Sequence, residues 1–100
     1  MGKITWTAES ECWLRDIHDY IAQDHPEAAQ KVTTGIHART QILATFPKIG
    51  HVYRLEPEGE IRILLYGHYR IAHLLRKDKR IDIPGVFHGA LDIARYLPWP

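Results

Sequence analysis

The chain has 100 residues, 45% of them hydrophobic and 25% charged, and its formal net charge at pH 7 is +1. This length suits a single domain over residues 1–100, and the composition is typical of a folded globular protein rather than a disordered one. No apolar run approaches the ~18–20 residues of a membrane span, and the first residues lack a signal-peptide core, so we expect a cytoplasmic protein without membrane partners. The one cysteine, Cys12, cannot form an internal disulfide, which agrees with a reducing compartment.

The beginning of the chain predicts a short strand followed by an amphipathic helix. Ile4-Thr5-Trp6 is the strand, and Thr7 is suited to cap a helix that runs from Ala8 to about Gln23. Cys12 lies in this helix beside a tryptophan, and we expect it to be a small core residue. The apolar positions of the helix recur with helical spacing and are Trp13, Leu14, Ile17, Tyr20 and Ile21.

A second helix is predicted after a short turn. Pro26 suits its first turn, and Pro47 ends the helical region. Its apolar stripe comprises Ala28, Ala29, Val32, Ile36, Leu43 and Phe46. Gly35 lies within the stripe at a cost of roughly 1 kcal/mol relative to alanine, which predicts a close crossing of two helices there. Because the turn between them is short, the two helices should form an antiparallel hairpin.

The second half of the chain has the pattern of an antiparallel meander. The predicted strands are Val52–Leu55, Ile61–Leu65, Tyr69–Arg76 and Ile81–Phe87, and a short helix from Ala90 to about Tyr96 follows them. Tyr66-Gly67-His68 is the predicted turn before the third strand, and Pro84-Gly85 predicts a bulge or an edge position in the fourth. The helical hairpin and the small antiparallel sheet would each cover the other's apolar face, so we predict an α+β fold of two layers.

Two arginines and a histidine near the predicted sheet are the candidates for chemistry. Arg62 and Arg70 belong to neighbouring strands, and the alternation of side chains places both on the face that we expect to be open to solvent. A guanidinium held on a sheet is well suited to bind phosphate or carboxylate, and His88 at the end of the last strand would join them. The alternative is that these are ordinary surface arginines and a structural histidine. The seven histidines lack the spacing of zinc ligands, so we expect no metal. We also expect no cofactor.

Several short motifs follow one another in a characteristic order along nearly the whole chain. They are Trp6-Thr7, Tyr20-Ile21-Ala22, Pro26-Glu27-Ala28-Ala29, Phe46-Pro47, Ile49-Gly50, Ile61-Arg62, Tyr69-Arg70-Ile71 and Val86-Phe87-His88-Gly89 with Asp92. Their order and spacing resemble the RelE/ParE superfamily of toxins from bacterial type II toxin–antitoxin modules, and two of them, Pro-Glu-Ala-Ala and the His-Gly-x-x-Asp ending, look closer to ParE-like members. The fold that this resemblance implies is a helical hairpin packed on an antiparallel sheet.

The resemblance implies one of two activities. RelE-like members cut mRNA in the ribosomal A site, whereas ParE-like members poison DNA gyrase and have lost the catalytic set. By position, Arg70 matches the arginine that RelE-like enzymes place at the scissile phosphate, and His88 matches a position where some of them have a histidine for proton transfer, with Arg62 as a further candidate. Ile61 and Ile63 stand where ribonuclease members tend to have lysines. The sequence pI of about 8.0 is low for a protein that enters the ribosome.

We therefore favour a toxin of a plasmid-stabilisation type module that inhibits growth by poisoning gyrase. The alternatives are a ribosome-dependent endoribonuclease that uses Arg70 and His88, and an inactive member that only binds its antitoxin and helps to repress its operon. The implied partners are a cognate antitoxin, gyrase or else the ribosome and mRNA, and operator DNA only through the antitoxin. Arg95, Tyr96 and Trp99 are candidate contacts to the target, unless Trp99 closes the core instead.

Overall fold

The computed structural model describes residues 3–89, which form two α-helices and five strands. In chain order the elements are β1 (Ile4–Trp6), α1 (Ala8–Ala22), α2 (Pro26–Thr40), a 3₁₀ turn (Gln41–Ala44), β2 (His51–Glu56), β3 (Gly59–Tyr66), β4 (Tyr69–Arg76) and β5 (Ile81–His88). The predicted strands are all present, with ends that differ by at most two residues. The predicted second helix is α-helical only to Thr40 and continues as the 3₁₀ turn.

The predicted cap of α1 is present, and it also ties the helix to the sheet. The Ser10 backbone N–H donates to Thr7 Oγ1 at 3.1 Å, and the Ser10 hydroxyl donates to the Thr7 carbonyl at 2.8 Å. The Thr7 hydroxyl in turn donates to the Ile83 carbonyl of β5 at 3.1 Å. Because Thr7 bonds to both the first helical turn and a strand, it determines where α1 leaves the sheet.

The five strands form one mixed sheet in the order β1-β5-β4-β3-β2. Strands β2 to β5 pair antiparallel, as their short turns predict, but β1 pairs parallel to β5, with Ile4 opposite Ile81 and Trp6 opposite Ile83. The prediction of a purely antiparallel sheet is therefore wrong at this edge. A parallel pair needs a long connection between its strands, and here two helices and three strands provide it.

The predicted bulge in β5 is present at Pro84. The register between β4 and β5 shifts between Ala72 and Leu74, so that Ile83 and Pro84 lie opposite a single residue of β4. The register between β1 and β5 ends at Ile83. Proline has no N–H to donate, and at this position it falls where both ladders are interrupted, which explains how a strand paired on both sides accommodates it.

Apolar side chains are buried on both faces of the sheet. On the helix-facing side, Leu14, Ile36 and Leu43 of the helical layer pack against Leu64, Ile71, Leu75, Ile81, Ile83 and Val86. The opposite face holds a second cluster whose members are at most 1% exposed, namely Ile61, Ile63, Ala72, Leu74 and Phe87. Trp13 of α1 packs against this second cluster, with its ring centroid 4.8 Å from that of Phe87. The prediction that this face is open to solvent is therefore wrong for its centre.

Two residues of the helices have surroundings other than those predicted. The closest neighbour of Gly35 is not another helix but the Tyr66 ring of β3, whose hydroxyl a Cβ at Gly35 would overlap. Cys12 is exposed rather than part of the core. The buried stripe of α1 runs through Ser10 and Leu14, and a residue midway between them on a helix points to the other side.

The chain beyond Gly89 lies outside the described residues. The predicted helix from Ala90 to about Tyr96 and the candidate contacts Arg95, Tyr96 and Trp99 fall there and remain predictions from the sequence. Within residues 3–89, neither helix combines the length and the apolar character that crossing a membrane requires.

Candidate functional site

Arg70 and His88 lie close together where β4 begins and β5 ends. Arg70 pairs with Phe87, and Tyr69 pairs with His88. Arg70 and His88 are therefore one step apart in the register. Arg70 Nη2 donates to the Gly89 carbonyl at 3.1 Å. The exposed His88 ring lies edge-on to Tyr69, with ring centroids 5.9 Å apart. Because neighbouring positions of a ladder alternate, the Arg70 and His88 side chains leave the sheet on opposite faces.

Arg62 lies on the helix-facing side of the sheet, whereas Arg70 lies on the opposite face. In the register of β3 and β4, Arg62 is opposite His73 and Leu65 is opposite Arg70. Directly paired residues share a face, and Arg62 and Leu65 are three positions apart, so they point to opposite faces. The prediction that the two arginines share one face is therefore wrong.

The Arg62 guanidinium makes several hydrogen bonds within the protein. Nε donates to Glu60 at 2.9 Å, and Nη1 donates to the carbonyls of Lys48 at 2.6 Å and Gly50 at 3.1 Å. The side chain is only 14% exposed. Hydrogen bonds from a charged donor are roughly twice as strong as neutral ones, so Arg62 fastens the loop that precedes β2 to β3.

His73 lies buried beside Arg62 on the helix-facing side. Burial and, after it, the positive charge of Arg62 lower the pKa of His73 from 6.5 to about 4, although the Ile49 backbone and Glu60 oppose the shift. The Ile49 backbone is close, but no described residue reaches hydrogen-bonding geometry with either ring nitrogen. His73 is therefore neutral near pH 7 and acts as a packing residue rather than as an acid or a base.

A groove of about 490 Å³ lies between α1 and the edge of the sheet where β4 begins and β5 ends. We call it the α1–β5 groove, and its lining includes Trp13, Ile17, Tyr20, Ile21, Tyr69 and His88. Tyr20 is 77% exposed, a large fraction for an aromatic side chain. A concave and mostly apolar surface with a few polar groups is typical of partner and ligand sites.

The family model described as the ParE toxin of the type II toxin–antitoxin system parDE matches residues 4–93. The chain belongs to the ParE toxin family. The solved structure of the chromosomal ParDE system from P. aeruginosa is similar to this ParE-family toxin, with a TM-score of 0.73 and 20% identity over 88% of this chain and 96% of that one. The toxin–antitoxin complex RelBE2 from Mycobacterium tuberculosis is also similar, with a TM-score of 0.50 and 18% identity over 87% of this chain and 96% of that one. Among curated proteins, none matches significantly.

These matches confirm the predicted RelE/ParE superfamily and its α+β fold. As a member of the ParE family, the chain is a toxin of the type II toxin–antitoxin class. The two structural likenesses are below 25% identity and concern the fold alone. The roles of Arg62, Arg70 and His88 therefore stay predictions.

The residues predicted for a ribonuclease do not form one cluster in this ParE-family toxin. Arg70 lies on one face of the sheet, with Arg62 and His88 on the other. The β4 partners of Arg62 and His88 are His73 and Tyr69, four residues or about 13 Å apart along the strand. General acid–base catalysis needs both groups within reach of the same substrate, which this arrangement does not favour. Within residues 3–89, no three His, Cys, Asp or Glu side chains gather where they would hold a metal ion.

The α1–β5 groove was missed by the sequence analysis, which assigned all apolar positions of α1 to one stripe. The apolar positions of the helix face two surroundings. Leu14 is buried in the core on the helix-facing side, Trp13 and Tyr20 line the groove, and Ile17 lines the groove and also packs against that core. Residues spaced by three and four positions share one side of a helix, so these three belong together. The signal was the number of apolar positions, which is greater than one narrow stripe needs.

Proposed function

We propose that this ParE-family toxin acts in the cytoplasm and inhibits growth by poisoning DNA gyrase, as part of a plasmid-stabilisation type module. The observation that carries the proposal is the placement of Arg62. Its guanidinium holds the Lys48 and Gly50 carbonyls on the helix-facing side and is directed away from Arg70. A nuclease built on these residues would lack a second cation at the phosphate held by Arg70, which favours a toxin that acts by binding its target.

The α1–β5 groove is the surface that we propose for the cognate antitoxin. Both similar structures belong to toxin–antitoxin systems. The exposed Tyr20 and the apolar groove beside it present surface that a soluble protein would cover with a partner. An amphipathic segment of the antitoxin that places its apolar face in the groove would suit this shape.

The decisive experiment is a gyrase assay with the purified toxin, ATP and plasmid DNA. We expect supercoiling to fall and cleaved plasmid to accumulate, because a poison holds the enzyme on broken DNA. Addition of the cognate antitoxin should prevent both effects. A folded toxin, as judged by its circular dichroism spectrum and melting temperature, that changes neither readout would contradict the proposal.

The alternative function is ribosome-dependent cleavage of mRNA, and it rests on the position of Arg70 and His88 one step apart in the register where β4 begins and β5 ends, although their side chains leave opposite faces of the sheet. The variant that carries both Arg70→Ala and His88→Ala distinguishes the two functions. Gyrase poisoning should survive this double substitution in protein that remains folded. If the double variant loses growth inhibition, and the unmodified toxin cleaves mRNA on ribosomes, the endoribonuclease is correct instead.

A further inference from the structure

The ends of two hairpins, β2–β3 and β4–β5, border an open cavity of about 340 Å³ at the end of the sheet away from Arg70. The Lys77 N–H donates to the Glu58 carbonyl at 3.2 Å, which joins the two hairpin ends. Gly59 permits this approach, since a Cβ there would overlap the Leu75 carbonyl. We call this space the hairpin-end cavity, and its charged lining consists of Lys48, Glu56, Glu60, Arg76, Lys77 and Lys79.

The two carboxylates of the hairpin-end cavity are already neutralised by arginines. Glu56 forms an ion pair with Arg54, and Glu60 forms one with Arg62 at 2.9 Å. The Glu56 and Glu60 side chains are only 10% and 25% exposed, so water screens these pairs less than it would at an open surface. The negative charge in the lining is therefore largely compensated before the lysines are considered.

The three lysines of the cavity have no such compensation. Within the part of the chain that the structure describes, Lys48, Lys77 and Lys79 form no ion pair with a carboxylate. Asp78 lies between two of them in sequence, but its carboxylate accepts from the Arg80 backbone N–H at 3.1 Å and from Arg80 Nε at 2.7 Å. Three lysines thus line one cavity without an ion-pair partner among the described residues.

Lys79, which lines the cavity, has an unfavourable backbone conformation. Its φ of 77° makes it the only non-glycine residue with positive φ among residues 3–89. The left-handed region costs an L-residue with a Cβ about 1–2 kcal/mol, and glycine or asparagine is the usual occupant. A lysine at such a position in a turn is a reason to look for a function of its ammonium group.

We propose that the hairpin-end cavity binds a phosphate group, carried either by a free phosphate anhydride or by a nucleic-acid backbone. Three uncompensated ammonium groups match the multiple charge of phosphate better than the single charge of a carboxylate, and lysine binds phosphate as a point charge. No described aromatic side chain lines the cavity, so there is no platform on which a base would stack. Binding should therefore be independent of base sequence, and it does not depend on the gyrase proposal.

Two probes distinguish the two sources of phosphate. Binding of inorganic pyrophosphate is measured by calorimetry, and binding of a short labelled DNA duplex by fluorescence anisotropy, both at about 50 mM salt, where screening is moderate. We expect the variant with both Lys77→Gln and Lys79→Gln to bind roughly tenfold more weakly to whichever of the two probes the unmodified toxin binds. Lys31→Gln on α2 removes the same charge outside the cavity and is the matched control, with unchanged affinity.

Pyrophosphate binding that the double variant loses would establish a site for a free phosphate anhydride. Duplex binding alone, lost in the same way and weakened by salt, would establish a backbone phosphate. The proposal would be overturned if the toxin bound neither probe, or if it bound one of them equally well after the double substitution. It would also be overturned if a polyglutamate peptide bound while both phosphate probes failed. Lys79→Gly serves as the folding control: its melting temperature should be unchanged or higher, because the unfavourable conformation is relieved, while its affinity for the probe should still fall.

Discussion

His73 occupies a position in the centre of the sheet where an aliphatic side chain would be expected. It is fully buried on β4, directly opposite Arg62 of β3 and close to the Ile49 backbone. Arg62 has its own partners in Glu60 and the loop carbonyls, so it repels a charge on His73 without being able to move away. A histidine held neutral in this way makes the fold sensitive to acid.

Acidification should therefore destabilise the toxin through His73. Its pKa in the folded state, about 4, is below the ordinary value of 6.5, so the unfolded state takes up the proton first. The contribution of His73 to stability is complete above pH 6.5 and is lost as the pH falls towards 4, by about 3 kcal/mol in the free energy of unfolding. Urea denaturation at pH 7 and pH 4 measures this loss.

The matched variant for this prediction is His73→Leu, which has a similar volume and no proton to gain. Between pH 7 and pH 4 its free energy of unfolding should fall less than that of the unmodified toxin. The difference between the two falls should be about 3 kcal/mol, which is the contribution of His73. An equal fall in both proteins would mean that other groups cause the acid sensitivity.

The contact between α2 and β3 depends on one glycine. Tyr66 of β3 places its ring against Gly35, where no Cβ is present to prevent the approach. The helix loses roughly 1 kcal/mol of intrinsic helix propensity at this position, and in return it packs closely on the sheet. A position that looked unfavourable within its own element is therefore explained by the neighbouring one.

Replacement of Gly35 by alanine should destabilise the toxin, although alanine is the better helix former. The added Cβ would overlap the Tyr66 ring, and overpacking typically costs about 1–3 kcal/mol, more than the gain in propensity. In a Tyr66→Leu background the overlap is removed, so the same Gly35→Ala change should be neutral or stabilising there. Thermal unfolding of the four proteins in this double-mutant cycle tests the contact, and equal effects in both backgrounds would refute it.

The molecule presents two separate candidate surfaces. The α1–β5 groove lies along α1 beside His88, and the hairpin-end cavity lies at the opposite end of β4. The groove is mostly apolar and carries an exposed aromatic side chain, whereas the cavity is lined by three lysines without an ion pair among the described residues. Their chemistry suits different partners, which is why we propose the groove for the antitoxin and the cavity for a phosphate group.

Tyr20→Ala should weaken antitoxin binding by roughly tenfold to a hundredfold, because a large aromatic side chain at an interface is often a hot spot. Tyr20 is 77% exposed in the free toxin, so its melting temperature should change little. Phe46→Ala is the matched control, since Phe46 is also aromatic and 61% exposed but lies outside the groove. Calorimetric titration with the antitoxin measures both affinities, and equal losses for the two variants would place the contact elsewhere.

Local interactions along the chain determined its elements. The Thr7 cap, the helical spacing in α1 and α2 and the short turns of the second half are properties of neighbouring residues, and the structure contains each of them. The order of the motifs was also sufficient for the superfamily, since the ParE family model matches residues 4–93. Such features can be predicted from the sequence because they do not depend on contacts between distant residues.

The faces of the arginines were decided by the tertiary structure. With Tyr66-Gly67-His68 as a three-residue turn, Arg62 and Arg70 would share a face, but Tyr66 pairs with Tyr69 around a two-residue turn in which Gly67 has a φ of 56°. One residue of difference in a register moves every side chain of a strand to the other face, and propensities along the chain are too weak to distinguish two such turns.

The parallel pairing of β1, the exposure of Cys12 and the neighbour of Gly35 were likewise decided only when the elements packed. Each depends on residues far apart in sequence, such as Ile4 with Ile81 or Gly35 with Tyr66. The sequence by itself thus determined which helices and strands form and which family they belong to, because those follow from nearby residues. The tertiary structure alone determined which side chains meet, because that depends on the register and on the packing of whole elements.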